Sequence, residues 1–457
     1  MRLTGFKKKV ALLACSNLLL QLMGFVYRMA LTRYAGTRAL GLNSLIMQIY
    51  SIVVSVCISG LSVAGTNLAA RVQGSPKALK ALLNKCILLY CGLWLFAALP
   101  MFLLRKDIAG AALGENGAAD TLAIMLVCIF MTGVENVLKA IHMGSGMVGR
   151  CAASEICEQG VRFALVILML IKLPHEGDAQ TVFYIMLGMT CSEIVSVGFL
   201  SFSFLQSIRA LSKRYGSYES RITHAHSSDI LRIALPASAT AMASTLFASA
   251  ASLLLPSRLA LYGLSRGDAL SLIGVMSSVA TPITFLPMAV VTALSAVLMP
   301  EVARLEGGGV EEQNGAASRL AQKSLRFAAV FGFCASAVIA ALAPYLSRGL
   351  FGVETESILF IALGIKAAVI YPQIVATAVL NGVKKQGSVL LFAVCGELYQ
   401  LLMMLLLTPV WGLYGYIAAG ITGEALRLLC SINAVVELYP KKHNEASASF
   451  TTIRAMR

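Results

Sequence analysis

Residues 82–104 read LLNKCILLYCGLWLFAALPMFLL, and Arg105-Lys106 follow at once. The single charged side chain in the stretch is Lys85, near its start. A helix rises about 1.5 Å per residue, so about 20 apolar residues cross the hydrocarbon core of a bilayer. The block is therefore read as a membrane-spanning helix. Similar blocks recur at 10–30, 42–64, 121–140, 156–171, 181–205, 230–255, 272–298, 325–346, 358–380, 389–407 and 413–436. The expected fold is an all-α polytopic membrane protein of about 12 transmembrane helices.

Composition agrees. Of 457 residues, 58% are hydrophobic and 13% charged, and the mean hydropathy is +0.79. A soluble globular chain has about 45–50% apolar and about 25% charged residues. A soluble enzyme is excluded, and so is disorder, which needs low hydrophobicity. The 11 cysteines include no Cys-x-x-Cys pair, and the 5 histidines form no zinc pattern. Neither a nucleotide-binding Gly-rich loop nor a Gly-x-Ser-x-Gly elbow is present. No metal and no cofactor are expected, with Na⁺ or H⁺ left open as a coupling ion. Lys7, Lys8 and Lys9 precede an apolar stretch too long for a secretory signal, with no small-residue cleavage site, so the first helix is expected to stay as an anchor.

The net charge of +15 is explained by topology rather than by nucleic acid. With both termini cytoplasmic, 24 of the 37 Lys and Arg fall in or beside inside segments and 8 in outside loops. That is a positive-inside pattern. The expected division is 1–205 as a six-helix N-terminal lobe, 206–229 as a basic cytoplasmic linker, 230–437 as a six-helix C-terminal lobe and 438–457 as a cytoplasmic tail.

The halves repeat. Arg28-Met-Ala-Leu and Arg38-Ala-Leu recur as Arg258-Leu-Ala-Leu and Asp268-Ala-Leu. The fourth helices end in Ala140-Ile-His-Met-Gly144 and Ala378-Val-Leu-Asn-Gly382, and the sixth share Tyr-x-x-x-Gly-x-Thr from Tyr184 and Tyr416. Six helices per half is an even number, so the halves are related by an axis along the membrane normal, a parallel repeat. Two lobes meeting at a seam suit alternating access, with substrate held near mid-membrane.

Ionisable residues inside the spans cost about 2.5–3.5 kcal/mol each on insertion scales, so each must face a partner, a cavity or an interface. The cations are Arg28, Arg162, Arg232, Lys366 and Arg427, and the acids are Glu135, Glu158, Glu193, Glu397 and Glu424. Glu158 and Arg162 share one helix face in the favourable order. Glu424 and Arg427 repeat the idea three residues apart. Glu397 has no basic residue four positions on, so its partner must come from another helix. Arg28 has no acid on its own helix and is the leading anion-binding candidate. Arg232, near a helix start, reads as snorkelling. Lys366 follows Gly364 in an otherwise apolar helix and is a cavity candidate. Pro236, Pro282, Pro287 and Ser59-Gly60 mark places where helices bend.

Gly24-Phe-Val-Tyr-Arg28, Thr32-Arg-Tyr-Ala-Gly36 and Gly41-Leu42 resemble the start of the SpoVB-like polysaccharide flippases of the multidrug/oligosaccharidyl-lipid/polysaccharide exporter superfamily, relatives of the MurJ flippases. Glu155-Ile-Cys-Glu158-Gln-Gly-Val-Arg162 is similar to that family's helix-five motif. Ala234-Leu-Pro236 and Thr292-Ala-Leu-Ser-Ala-Val-Leu-Met-Pro300 are similar to its second half.

The resemblance implies a bacterial cytoplasmic-membrane transporter. It would flip an undecaprenyl-pyrophosphate-linked saccharide, lipid II or a related peptidoglycan precursor, in a sporulation context. Arg28, Arg162, Lys366 and Arg427 would bind the substrate. Glu158, Glu397, Glu424, Glu193 and Glu135 would line the cavity or carry coupling ions. Expected partners are the lipid-linked substrate and membrane lipid, with the oligomeric state open and a monomer admissible. The alternative is a cation-coupled multidrug exporter. A lipid-modifying enzyme would need a polar catalytic cluster at one face, which the sequence does not show.

Overall fold

The computed structural model describes residues 2–72, 75–174, 176–215, 227–306 and 311–438, and among these there is no strand. In the N-terminal half, α1 is Arg2–Ala35. Helix α2 is Thr37–Cys57, continued past a break at Ile58 as Ser59–Arg71. Then come α3 (Pro76–Leu103), α4 (Ala119–Gly144), α5 (Val148–Lys172) and α6 (Asp178–Tyr215). In the C-terminal half, α7 is Ser227–Leu261. Helix α8 runs Arg266–Val275, through a π turn at Met276–Ala280 and the short Thr281–Thr284, to Met288–Glu306. The rest are α9 (Glu311–Leu346), α10 (Ser357–Gly382), α11 (Gln386–Trp411) and α12 (Leu413–Leu438).

Local chemistry explains several starts. Pro76 sits where α3 has no use for a backbone donor, and Ser75 Oγ accepts from the Ala78 N–H at 3.4 Å. Gly36, at φ 78°, makes the turn between α1 and α2 in a conformation that other residues rarely adopt. The interruption of α8 coincides with Pro282 and Pro287, which remove backbone donors from the ladder.

By length and composition, 10 of the described helices can cross a membrane. Helix α5 is not among them, because Arg150, Glu155, Glu158 and Arg162 lower its hydropathy. Helical structure also extends into the expected linker: α6 continues through Tyr215 and α7 begins at Ser227, while 216–226 and the tail from 439 lie outside the described residues.

Contacts repeat between the halves. α1 packs on α5, α2 on α4, α3 on α4, α4 on α6 and α5 on α6. In the same order α7 packs on α11, α8 on α10, α9 on α10, α10 on α12 and α11 on α12. At one of these interfaces the fit is the same but the partners are exchanged. The Tyr90 ring of α3 fills the space a side chain at Gly133 of α4 would take, whereas the Tyr371 ring of α10 lies against Gly332 of α9. Both tyrosines donate to a carbonyl, Tyr90 to Ile129 at 2.5 Å and Tyr371 to Thr284 at 3.3 Å.

Outward, α3 and α9 expose Leu88, Phe96 (83%), Val330 and Phe333 (70%). Bilayer lipid is the solvent that such surfaces require.

The lobes meet at the end where α1 turns into α2. A Cβ on Gly41 would collide with the Leu270 carbonyl, and one on Gly274 with that of Thr37, so α2 and α8 cross backbone to backbone. Thr37 and Ser271 hydroxyls lie 3.4 Å apart. Arg33 donates to the carbonyls of Gly349 and Leu350 at 2.8 and 2.9 Å, and the Phe25 and Phe351 rings meet edge to face at 5.6 Å. Further along, α2 runs against α7. Ser249 donates to Gln48 at 3.2 Å, and the Gly60 N–H, just past the break at Ile58, donates to Ser238 at 3.2 Å.

Candidate functional site

Each lobe encloses a polar cluster. In the N-terminal lobe, Glu158 and Arg162 sit one turn apart on α5 and form an ion pair. Arg162 also reaches Glu193 of α6 at 3.3 Å, and its Nε donates to Ser192 at 3.2 Å. From α4, Lys139 contacts Glu135 at 2.9 Å, Glu155 at 3.3 Å and Glu158 at 3.7 Å. Ser196 of α6 donates to the Glu135 carboxylate, and Ser154 of α5 lies 2.6 Å from Ser196. Glu135, Glu158 and Glu193 are buried, and an oxygen from each lies within 4.8 Å of the other two. Although the sequence suggests no metal, this is a spacing at which carboxylates can surround a cation.

The C-terminal lobe is simpler. Arg427 of α12 contacts Glu424 on its own helix at 3.0 Å and Glu397 of α11 at 3.2 Å. Glu397, whose partner had to come from elsewhere, therefore takes its charge from α12. Lys366 of α10 is half-buried against Gly420 of α12, where a Cβ would stand 2.8 Å from its Nζ. Among the described residues it has no acid within ion-pair range.

Arg28 differs from Arg162 and Arg427. Arg162 and Arg427 are each held by two glutamates, whereas Arg28 is exposed and makes no ion pair among the described residues. It lies two turns before the end of α1, close to the interlobe contacts of Phe25 and Met29. Arg232 is exposed near the start of α7.

The structure thus gathers Glu135, Glu158, Glu193 and Arg162 in one place, Glu397, Glu424 and Arg427 in a second, and leaves Arg28 and Lys366 free of such pairs. Sequence reasoning missed Lys139, assigned to an inner loop edge, and the serines 154, 192 and 196. The available signal was positional: Ser154 and Ser196 each lie one turn or less from a buried glutamate, on the same helix face.

A family described as MatE matches residues 13–168. Stage V sporulation protein B of Bacillus subtilis (strain 168) is 22% identical over 456 residues, which is 98% of this chain and 87% of that protein. Among solved structures, an inward-facing multidrug resistance MATE family transporter of the MOP superfamily superposes with a TM-score of 0.71 at 16% identity, covering 94% of this chain and all of the other. A MOP superfamily transporter from Pyrococcus furiosus Vc1 gives 0.66 at 16% identity, over 94% of this chain and 96% of that one. An outward-facing MATE family transporter gives 0.64 at 17% identity, over 95% and 97%. With these helices and this repeated packing, the chain has the fold of the MATE and MOP superfamily transporters it superposes on, and it is similar to Stage V sporulation protein B along almost its whole length.

Proposed function

We propose that the protein flips an undecaprenyl-pyrophosphate-linked saccharide, such as lipid II, from the inner to the outer leaflet of a bacterial cytoplasmic membrane. One observation carries this reading: Arg28 is a cation inside a membrane helix, exposed and without an ion pair among the described residues, next to the seam between the lobes. A cation within a membrane span must face a partner, a cavity or an interface. Pyrophosphate supplies several acceptor oxygens, and guanidinium pairs with them through charge-assisted bonds. Lys366 adds a second cation that carries no ion pair among the described residues.

The headgroup would occupy the space between the lobes while the prenyl tail remains in lipid. Arg162 and Arg427 would stiffen the lobe interiors and leave Arg28 and Lys366 to hold the substrate. Closure by Gly41, Gly274 and Arg33 at one face is what alternating access asks of one half-cycle. With the N-terminus cytoplasmic that face is the outer one. Outward movement of an anion from a negative interior gains about 2.3 kcal/mol per charge per 100 mV.

The relative named for stage V sporulation supports the likeness to SpoVB-like flippases, and the multidrug neighbours favour an exporter of drug-like molecules. Reconstitution separates the two. In liposomes carrying fluorescent lipid II, the wild type should expose the inner-leaflet pool to an external quencher and Arg28→Ala should not. No exposure by the wild type, together with drug resistance in cells that express it, would establish the exporter reading instead.

A further inference from the structure

The turn from α10 to α11 and the turn from α4 to α5 share one backbone. The Lys385 N–H donates to the Leu380 carbonyl at 2.9 Å, and the Met147 N–H to that of His142 at 2.8 Å. The residue before each is left-handed, Lys384 at φ 62° and Gly146 at φ 79°. Glycine adopts that conformation freely, whereas lysine does so at a cost in strain. Lys384 is the one non-glycine residue with positive φ among the described residues.

The two turns differ in charge. Residues 143–149 read MGSGMVG, with no basic side chain, and Arg150, which follows, donates to Ser203 and Ser207. Residues 381–387 read NGVKKQG. The ion pairs of the C-terminal half fall on Arg304, Arg348 and Arg427, so among the described residues neither lysine is paired with an acid.

A cavity of about 330 Å³ lies beside this charged turn, between α7 and α11. Ala237, Ala241, Val389 and Ala393 form walls, and Asn381 and Gln386, which bracket the two lysines in sequence, line it too. Water finds few partners among alanine and valine, so hydrocarbon is the filling that suits it. The same stretches of α7 and α11 expose Leu235 and Leu391, which puts bilayer hydrocarbon within reach. With the N-terminus cytoplasmic, the turn lies at the inner surface, where anionic lipid and basic residues attract one another.

We propose that this groove binds one anionic phospholipid of the inner leaflet, its phosphate met by Lys384 and Lys385 and an acyl chain lying between α7 and α11. Charge chooses the occupant. A zwitterionic lipid or a neutral apolar molecule would gain from the cavity and little from the lysines. A topology charge needs neither a strained backbone nor a cavity beside it. The site is independent of the substrate assignment, since it requires nothing of Arg28 or Lys366.

The test is native mass spectrometry of the detergent-purified protein, titrated with phosphatidylglycerol and separately with phosphatidylcholine of the same chains. The wild type should hold one phosphatidylglycerol roughly tenfold more tightly than phosphatidylcholine. Lys384→Gly with Lys385→Gln, which brings in the glycine of the other turn, should fold at least as stably and make the two lipids equal. Lys77→Gln with Lys80→Gln removes the same charge at the start of α3, on the same membrane face, and should leave the preference intact. Ala241→Phe fills the groove and should weaken both lipids. Equal retention of the two lipids by the wild type would overturn the proposal. So would a preference that survives the loss of Lys384 and Lys385, one that falls as far with Lys77 and Lys80, or unchanged binding in a folded Ala241→Phe. Should Ala241→Phe not fold, the two lysine pairs still decide. Undecaprenyl pyrophosphate held more tightly than phosphatidylglycerol would overturn it in favour of a substrate site. A failure here leaves the flipping assay untouched, and a failure there leaves this preference untouched.

Discussion

Glu135 and Gln373 hold equivalent positions in the two lobes, each nine residues before the glycine that closes its helix, Gly144 or Gly382. Each reaches one turn along its own helix: Glu135 to Lys139 at 2.9 Å, and Gln373 to Thr377 at 3.0 Å. One lobe thus carries an ion pair where its copy carries a neutral hydrogen bond. Both arrangements satisfy the groups, but only the charged one draws in Glu155, Glu158 and Glu193.

The two solutions can be exchanged. Lys139→Ala leaves buried acids without their cation and should destabilise by about 3 kcal/mol, the lower end for a broken buried pair because Lys139 is partly exposed. The double variant Glu135→Gln with Lys139→Thr copies the other lobe and should recover most of that loss. Thermal unfolding in detergent checks the order. A double variant less stable than Lys139→Ala would contradict it.

Arg28 should behave in the opposite way to Arg427. Arg28 has no ion-pair partner among the described residues, so Arg28→Ala should leave thermal stability within about 0.5 kcal/mol of the wild type, as for ordinary surface changes. It should lower flipping at least tenfold, the equivalent of one charge-assisted bond of about 1.5–3 kcal/mol. Arg427→Ala, which strands Glu397 and Glu424, should lower the unfolding temperature first. Equal effects of the two changes on stability would remove the distinction drawn between them.

These contrasts show how much the sequence reveals. The spans, their repeat and the pairs Glu158–Arg162 and Glu424–Arg427 are legible, because helical periodicity places residues three and four apart on one face. The meeting of Glu135, Glu158 and Glu193 is not, because it joins three helices and no spacing along one helix encodes it. Lys139 was hidden by position: near a helix end it reads as a topology charge, yet it points inward. The break at Ile58 was legible only in part. Its neighbours Ser59 and Gly60 suggested a bend, but the cause includes Ser238 on another helix, which takes up the Gly60 N–H.

The crossing of α2 and α8 predicts a trap. Thr37→Cys with Ser271→Cys replaces two hydroxyls 3.4 Å apart, and the pair should crosslink under mild oxidation in a background without the native cysteines. Transport should stop on oxidation and return on reduction. Undiminished transport by the crosslinked protein would mean that this face need not open.

The exchanged tyrosines predict an asymmetry in packing. At Gly133 a methyl carbon would stand 1.9 Å from Cζ of Tyr90, whereas at Gly332 it would stand 2.8 Å from Cδ2 of Tyr371. Gly133→Ala should therefore cost more than Gly332→Ala, within the about 1–3 kcal/mol typical of overpacking. Unfolding of the two variants side by side measures the difference, and the reverse order would contradict the packing described.

The central claim is the proposal that this protein carries a pyrophosphate-linked saccharide on an exposed arginine. The most direct measurement is made in bacteria depleted of their own lipid II flippase. The chain is expressed, and an externally added lipid II-cleaving toxin reports whether its substrate has reached the outer surface. The account predicts cleavage with the wild type and its loss with Arg28→Ala at equal membrane abundance. Cleavage that persists in Arg28→Ala, or a membrane-inserted wild type that delivers no lipid II, would contradict it.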